Sequence, residues 1–194
     1  MSLQNDHGSW LKRGRQRAAI AQVLRKPMTA TQICRTARAI NPRIQLRDVW
    51  FLMRQFAKRD LATCLNPKQA TGRLYCLTNQ GRRAVSSAFR IHVAGTPEGI
   101  EWRKYSWVVR AKIRRLSLDG LGRLEEKTGE AQTATQVRKQ IRVEHAVGLN
   151  PVIRALQELL KLGLVQCAGV TRKQRRKLYR LTPSGKRILD QLRC

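Results

Sequence analysis

Carboxylates are scarce in this chain. Twelve Asp and Glu stand against 40 Lys and Arg among 194 residues, a formal net charge of +28. The few acids do not fall at spacings that suit a two-metal nuclease centre. Glu125-Glu126 reads as helix surface, and His145 beside Glu144 reads as a turn residue. Long apolar runs are also missing. No stretch approaches about 18 consecutive apolar residues, so no transmembrane helix and no membrane partner are expected. The segment Met1 to His7 lacks a basic region followed by an apolar one, so no secretory signal is expected. Histidine is rare (His7, His92, His145), and the five cysteines (Cys34, Cys64, Cys76, Cys167, Cys194) include no Cys-x-x-Cys. No metal site and no cofactor are expected. Unpaired cysteines of this kind fit a reducing, cytoplasmic setting. Neither Gly-x-x-x-x-Gly-Lys-Ser/Thr nor Gly-x-Ser-x-Gly occurs, so enzymatic activity is not expected.

Cations and apolar residues fill the space. Hydrophobic residues make up 42% of the chain, enough for a packed core. The charge is not a tail: residues 1–97 hold 18 basic and 3 acidic side chains, and residues 98–194 hold 22 and 9. Such an excess repels itself in a compact fold, and a polyanionic partner is the simplest reason to keep it.

The chain also repeats itself. Thr29-Ala30-Thr31-Gln32-Ile33 recurs as Thr133-Ala134-Thr135-Gln136-Val137, an offset of 104. Leu61-Ala62-Thr63-Cys64 recurs in type as Leu164-Val165-Gln166-Cys167, an offset of 103. Leu74-Tyr75-Cys76-Leu77-Thr78-Asn79-Gln80-Gly81-Arg82 recurs as Leu178-Tyr179-Arg180-Leu181-Thr182-Pro183-Ser184-Gly185-Lys186, again at 104. The period is too long for a solenoid and fits a duplicated domain. The expected division is a first domain at 10–90, a linker at 91–104, and a connecting helix with the second domain at 105–194.

Within the first copy, Arg15–Lys26 predicts an amphipathic helix stopped at Pro27. Thr29 or Thr31 caps a second helix, and Asn41-Pro42-Arg43 is a turn. A third helix is predicted from about Gln45 to Arg59, with Val49, Leu52, Met53 and Phe56 as its buried stripe. Leu61–Leu65 and Arg73–Leu77 read as hairpin strands around a tip at 66–72. Cys64 and Cys76 fall on these neighbouring strands, where contact is open and buried thiols are the plainer reading. Thr78 caps a closing helix. In the second copy, Asn150-Pro151 reads as N-cap and first position of the third helix, and Val152, Ala155, Leu156 and Leu159 as its stripe. Leu164–Cys167 and Lys177–Leu181 read as strands. The first helix is less defined there. Leu121–Lys127 sits where the offset demands, weakened by Gly120, Gly122 and Gly129, whereas Tyr105–Leu118 has the stronger helical pattern. That stretch reads as a helix packing on its own domain, with a connecting or dimerisation helix as the alternative.

This order of elements, with a hairpin exit of Arg/Lys-Leu-Tyr-x-Leu-Thr-x-x-Gly-Arg/Lys at Arg73–Arg82 and Lys177–Lys186, resembles the winged-helix fold. It is similar to small prokaryotic regulators of the MarR, PadR and ArsR type, over about 150 of the 194 residues. The fold class expected is mainly α with small β-hairpin wings, an α+β architecture of two tandem winged helix-turn-helix domains. Those regulators carry one such domain and dimerise. Two copies in one chain present two readers, and a homodimer remains compatible.

The resemblance implies that the third helix enters the DNA major groove and the hairpin touches backbone or minor groove. A helix fits that groove, and Arg or Gln there reads base edges. In the first copy the candidates are Arg43, Gln45, Arg47, Arg54, Gln55 and Lys58. In the second they are Asn150, Arg154 and Gln157, with Glu158 expected on the same side as an unfavourable anion. The second hairpin tip adds Arg172, Lys173, Arg175, Arg176 and Lys177, a cluster that gains from releasing DNA counterions. The first tip has only Lys68 and Arg73. Lys12-Arg13-Gly14-Arg15-Gln16-Arg17 reads either as an arm on phosphates or as a solvated helix start. The function these residues suggest is double-stranded DNA binding by a nucleoid-associated transcription regulator. Plasmid-type replication initiation or RNA binding is the alternative, and a protein-interaction scaffold the third reading.

Overall fold

The computed structural model describes residues 4–93, 95–171 and 175–193, and the chain divides into two units, residues 1–98 and 99–194. Unit 1 runs α1 (Gln4–Lys12), α2 (Arg15–Val23), β1 (Met28–Thr29), α3 (Ala30–Ala37), α4 (Leu46–Lys58), β2 (Ala62–Cys64), β3 (Leu74–Leu77) and α5 (Asn79–Phe89). Unit 2 runs α6 (Trp102–Val109), α7 (Lys112–Thr128), β4 (Gln132–Thr133), α8 (Ala134–Arg142), α9 (Leu149–Lys161), β5 (Val165–Val170), β6 (Lys177–Leu181) and α10 (Pro183–Arg193). Each unit is mixed α and β, with one small antiparallel sheet ordered β1-β3-β2 or β4-β6-β5. Val93 is buried in unit 1 and α6 begins at Trp102, so the stretch 91–104, expected as linker, is divided between the two.

The repeated sequence blocks fold alike. Thr29 caps α3 and Thr133 caps α8. Each threonine Oγ1 accepts from the backbone N–H three residues on, at 3.3 Å, and each Gln Oε1 (Gln32, Gln136) accepts from the threonine N–H. This reciprocal box satisfies two helix-end donors at once. The expected stripes are buried in full: Val49, Leu52, Met53 and Phe56 in α4, and Val152, Ala155, Leu156 and Leu159 in α9. α9 starts at Leu149 with Gly148 as N-cap, not at Asn150. Pro151 still lies in the first turn, where no N–H partner is required.

The Leu-Thr-x-x-Gly signature has a physical origin. Thr78 Oγ1 donates to Asp60 O at 2.5 Å and accepts from Gly81 N at 3.0 Å, while Thr78 N donates to Leu61 O at 3.1 Å. In unit 2, Thr182 Oγ1 donates to Gly163 O at 2.8 Å and accepts from Gly185 N at 3.1 Å, and Thr182 N donates to Leu164 O at 3.1 Å. The first turn of the closing helix thus rests on the chain leaving the third helix. Only glycine permits that approach, since a Cβ on Gly81 would meet Leu61 O at 1.9 Å and one on Gly185 would meet Leu164 O at 2.0 Å.

Three features lay beyond the sequence reading. The two-residue strands β1 and β4 are too short to show a period. The helix α1 precedes the expected domain start and buries Leu11. The third is a further repeat. Ser9-Trp10-Leu11 returns as Ser106-Trp107-Val108 at an offset of 97, and Arg17 returns as Arg114. Arg17 lies 4.4 Å from the Trp10 ring centroid and Arg114 lies 3.3 Å from that of Trp107. The offset grows from 97 to 104 inside α7. Seven residues are close to two helical turns, so the buried face keeps its direction. The stretch Tyr105–Leu118 is not one helix, because Arg110 and Ala111 separate α6 from α7. Val108 and Leu118 are buried inside unit 2, in line with a segment packed on its own domain. The glycines of α7 are packing points. A Cβ on Gly120 would press Ile141 at 3.1 Å, one on Gly122 would clash with Leu189, and Gly129 closes the helix at φ 69°.

Candidate nucleic-acid interface

Aligning α4 with α9 at an offset of 103 brings Arg47, Phe51, Arg54 and Lys58 onto Asn150, Arg154, Gln157 and Lys161. All eight side chains are exposed. They recur at intervals of three and four, so each set is one stripe opposite the buried one. Arg43 and Gln45, also exposed, precede α4, and Gln55 is half-buried. Gln45 N donates to Asp48 Oδ2 at 2.9 Å, and Gln16 Nε2 donates to the same oxygen at 3.2 Å, which occupies the one acid of α4. Lys161 and the exposed Leu46, Trp50 and Phe51 escaped the sequence reading. The matching Lys58 and the α4–α9 alignment were the available signal for Lys161.

Glu158 is a correction. Its Oε2 pairs with Arg114 Nε at 2.7 Å, and Arg114 Nη1 donates to Trp107 O at 2.9 Å. The arginine of the repeated Arg–Trp contact in α7 thus engages this carboxylate. Other acids of unit 2 are likewise engaged. Arg123 holds Asp119 and Glu144, Arg193 holds Asp119 and Glu126, and Lys104 holds Glu101. These pairs leave Arg154 and Lys161 of α9, and Arg175, Arg176 and Lys177 of the hairpin, outside the ion pairs seen among the described residues of unit 2.

Glu125 is engaged differently. It accepts the Leu181 N–H at 2.6 Å, and burial pushes its carboxyl above the usual range despite that bond. A raised folded-state pKa means the folded chain takes up the proton first, so this residue favours folding as pH falls and that contribution fades as pH rises past the shifted value. Glu125→Gln keeps an acceptor for Leu181. The expected result, from urea unfolding at about pH 4 to pH 7, is a stability profile lacking that acid-side gain.

The hairpins differ in length and tip. In unit 2, Thr171 N donates to Arg176 O at 2.9 Å, Arg176 N donates to Thr171 Oγ1 at 3.1 Å, and Arg175 sits at φ 45°. Arg175, Arg176 and Lys177 are exposed, and Arg176 Nη1 donates to Thr135 Oγ1 at 3.3 Å. Arg172 and Lys173 lie outside the described residues. A bulge between Cys167 and Gly169 bends β5. In unit 1 the tip is clamped by Asn66. Its Oδ1 accepts Leu74 N at 2.7 Å, and its Nδ2 donates to Gly72 O at 3.1 Å and to Gln69 Oε1. Asn66→Ala leaves the buried Leu74 N–H without its acceptor. A loss of about 1–3 kcal/mol is expected in urea unfolding.

Helix and hairpin meet at a tyrosine in unit 1. Tyr75 faces Cys64 across the ladder, as Tyr179 faces Cys167. Burial raises the Tyr75 hydroxyl pKa and the Cys64 thiol adds to it, while Arg73 from the hairpin and Arg54 from α4 oppose. The two cations therefore flank one point. Cys76 lies opposite Thr63, so it and Cys64 point to opposite faces of the sheet, and both are free thiols. The side-by-side contact left open in the sequence is absent. Among the described residues no cluster of His, Cys, Asp and Glu is arranged to hold a metal, and no helix is long and apolar enough to cross a membrane. No protein-family model, curated protein or solved structure matches the chain.

Proposed function

We propose that this protein binds double-stranded DNA and acts as a transcription regulator at the nucleoid, through two tandem winged helix-turn-helix units. α4 and α9 lie in the major groove, and the hairpins rest on the backbone. The order helix, strand, helix, helix and hairpin in both units supports this reading, as does the outer sheet position of β2 and β5. The observation that carries it is the paired stripe. Two helices of identical length keep the same buried face and expose a cation or an amide opposite it at three of four matched stations, the fourth pairing Phe51 with Arg154. Arg, Lys, Asn and Gln are the side chains that bond phosphates and the G and A edges of the groove.

The test is a fluorescence-anisotropy titration of a labelled random-sequence duplex at about 50 mM salt, where phosphate contacts dominate. Binding is expected. A flat signal at low salt rules the reading out. Unlabelled single-stranded DNA and RNA serve as competitors, and a stronger RNA competitor moves the assignment to RNA binding.

A further inference from the structure

The two stripes differ in one respect. Of the six exposed large apolar side chains among the described residues, Leu46, Trp50 and Phe51 lie on α4 and none on α9, while Ile40 after α3 has its counterpart in the exposed Val143 after α8. Phe51 is 62% exposed and Trp50 38%. In α9 the stations of Trp50 and Phe51 hold Ile153, half-buried, and Arg154. The Tyr75 ring meets the Trp50 ring at 82° with centroids 6.2 Å apart, which fixes the indole while leaving it accessible.

We propose that α4 reads thymine methyl groups, so that unit 1 selects T-rich duplex tracts while the polar stripe of unit 2 reads other base edges. This rests on the DNA reading above and names the base chemistry that unit 1 takes. Phe51 has Arg47 one turn before it and Arg54 one turn after it, with Lys58 a turn further along. None of these cations joins an ion pair among the described residues. The surface is thus an apolar centre, one helix wide, with positive charge along it. The major groove is its complement: phosphates at both rims, and a floor whose apolar group is the C5 methyl of thymine. A protein partner would need carboxylates placed around an apolar knob. A duplex supplies the anions as a regular rim.

The experiment removes the methyl and nothing else. The full chain is titrated against a duplex with a central dA·dT tract, and against the same duplex with deoxyuridine at each thymine. Uracil keeps every hydrogen-bonding edge. Burial of one methyl corresponds to about fourfold in affinity, so two or three buried methyls give roughly 15- to 60-fold weaker binding to the uracil duplex. Phe51→Ala, at a site too exposed to matter for folding, is expected to abolish the preference. Leu46→Ala should reduce it, and Arg154→Ala should weaken both duplexes with the ratio kept. Equal wild-type affinities overturn the proposal, as does a preference that survives Phe51→Ala. Tighter binding of the single dT strand than of either duplex overturns it in favour of base stacking. Self-association that Phe51→Ala abolishes, without methyl preference, assigns the patch to a second copy of the chain and overturns it too. Binding to neither duplex fails the DNA reading itself, a result distinct from binding without methyl discrimination.

Discussion

Alanine at Gly185 lowers stability by at least about 3 kcal/mol, and Gly81→Ala does the same in unit 1. Overpacking of flexible side chains costs about 1–3 kcal/mol because neighbours can yield. Here the obstacle is a main-chain carbonyl, 2.0 Å from a Cβ on Gly185 and 1.9 Å from one on Gly81. Each carbonyl also accepts the N–H of the capping threonine. Relieving the clash therefore parts the closing helix from the turn after the third helix and breaks the cap. Against a total of about 5–15 kcal/mol for an ordinary domain, that is a large share. Gly163→Ala is the control. Gly163 sits at φ 67° with no atom within 4 Å of a Cβ, so its substitution carries only the left-handed penalty of about 1–2 kcal/mol. Urea unfolding followed by circular dichroism ranks the three. Equal losses at Gly163 and Gly185 would show that backbone conformation, not close approach, governs both sites.

The second large effect is on binding. Raising salt from about 50 to about 200 mM is expected to weaken duplex binding by about 10³-fold or more, the response of a protein that neutralises six to ten phosphates. The exposed cations already described, Arg47, Arg54, Lys58, Arg154, Lys161, Arg175, Arg176 and Lys177, are enough for that number. Replacing Arg175, Arg176 and Lys177 by Gln should make the logarithmic salt slope shallower by about one for each phosphate no longer neutralised, and weaken binding alike on all sequences. A slope unchanged by the triple variant would remove the second hairpin from the interface.

Much of this layout was legible because the repeat doubles each signal. The capping boxes at Thr29 and Thr133 and the buried stripes of α4 and α9 are local devices, written in steps of three and four residues, and the Thr-x-x-Gly turn shows in sequence through its cap although its partners lie 18 and 19 residues away. What stayed hidden depends on residues distant in sequence. Glu158 looks like part of the α9 face until Arg114, 44 residues away, is seen to hold it. The glycines of α7 read as helix weakeners, yet α8 and α10 need them for close approach. The Ser-Trp repeat is obscured by its offset of 97, which differs from the 103–104 shared by the other repeated blocks. Trp50 and Phe51 lie between residues of the apolar stripe of α4, and nothing in their spacing marks a face of their own. The helical period turns Phe56 inward, and the exposure of Phe51 is what the structure adds.

Chemical footprinting of arginine and lysine tests the central claim most directly. The full chain is modified with and without saturating duplex at low salt, and each site is read by mass spectrometry. Arg47, Arg54, Lys58, Arg154 and Lys161 are expected to lose reactivity on DNA together with Arg175, Arg176 and Lys177, while Arg114, held by Glu158 and Trp107, keeps the reactivity it had. A stable complex in which the α4 and α9 cations stay fully reactive, with protection confined to other surfaces, would contradict the account.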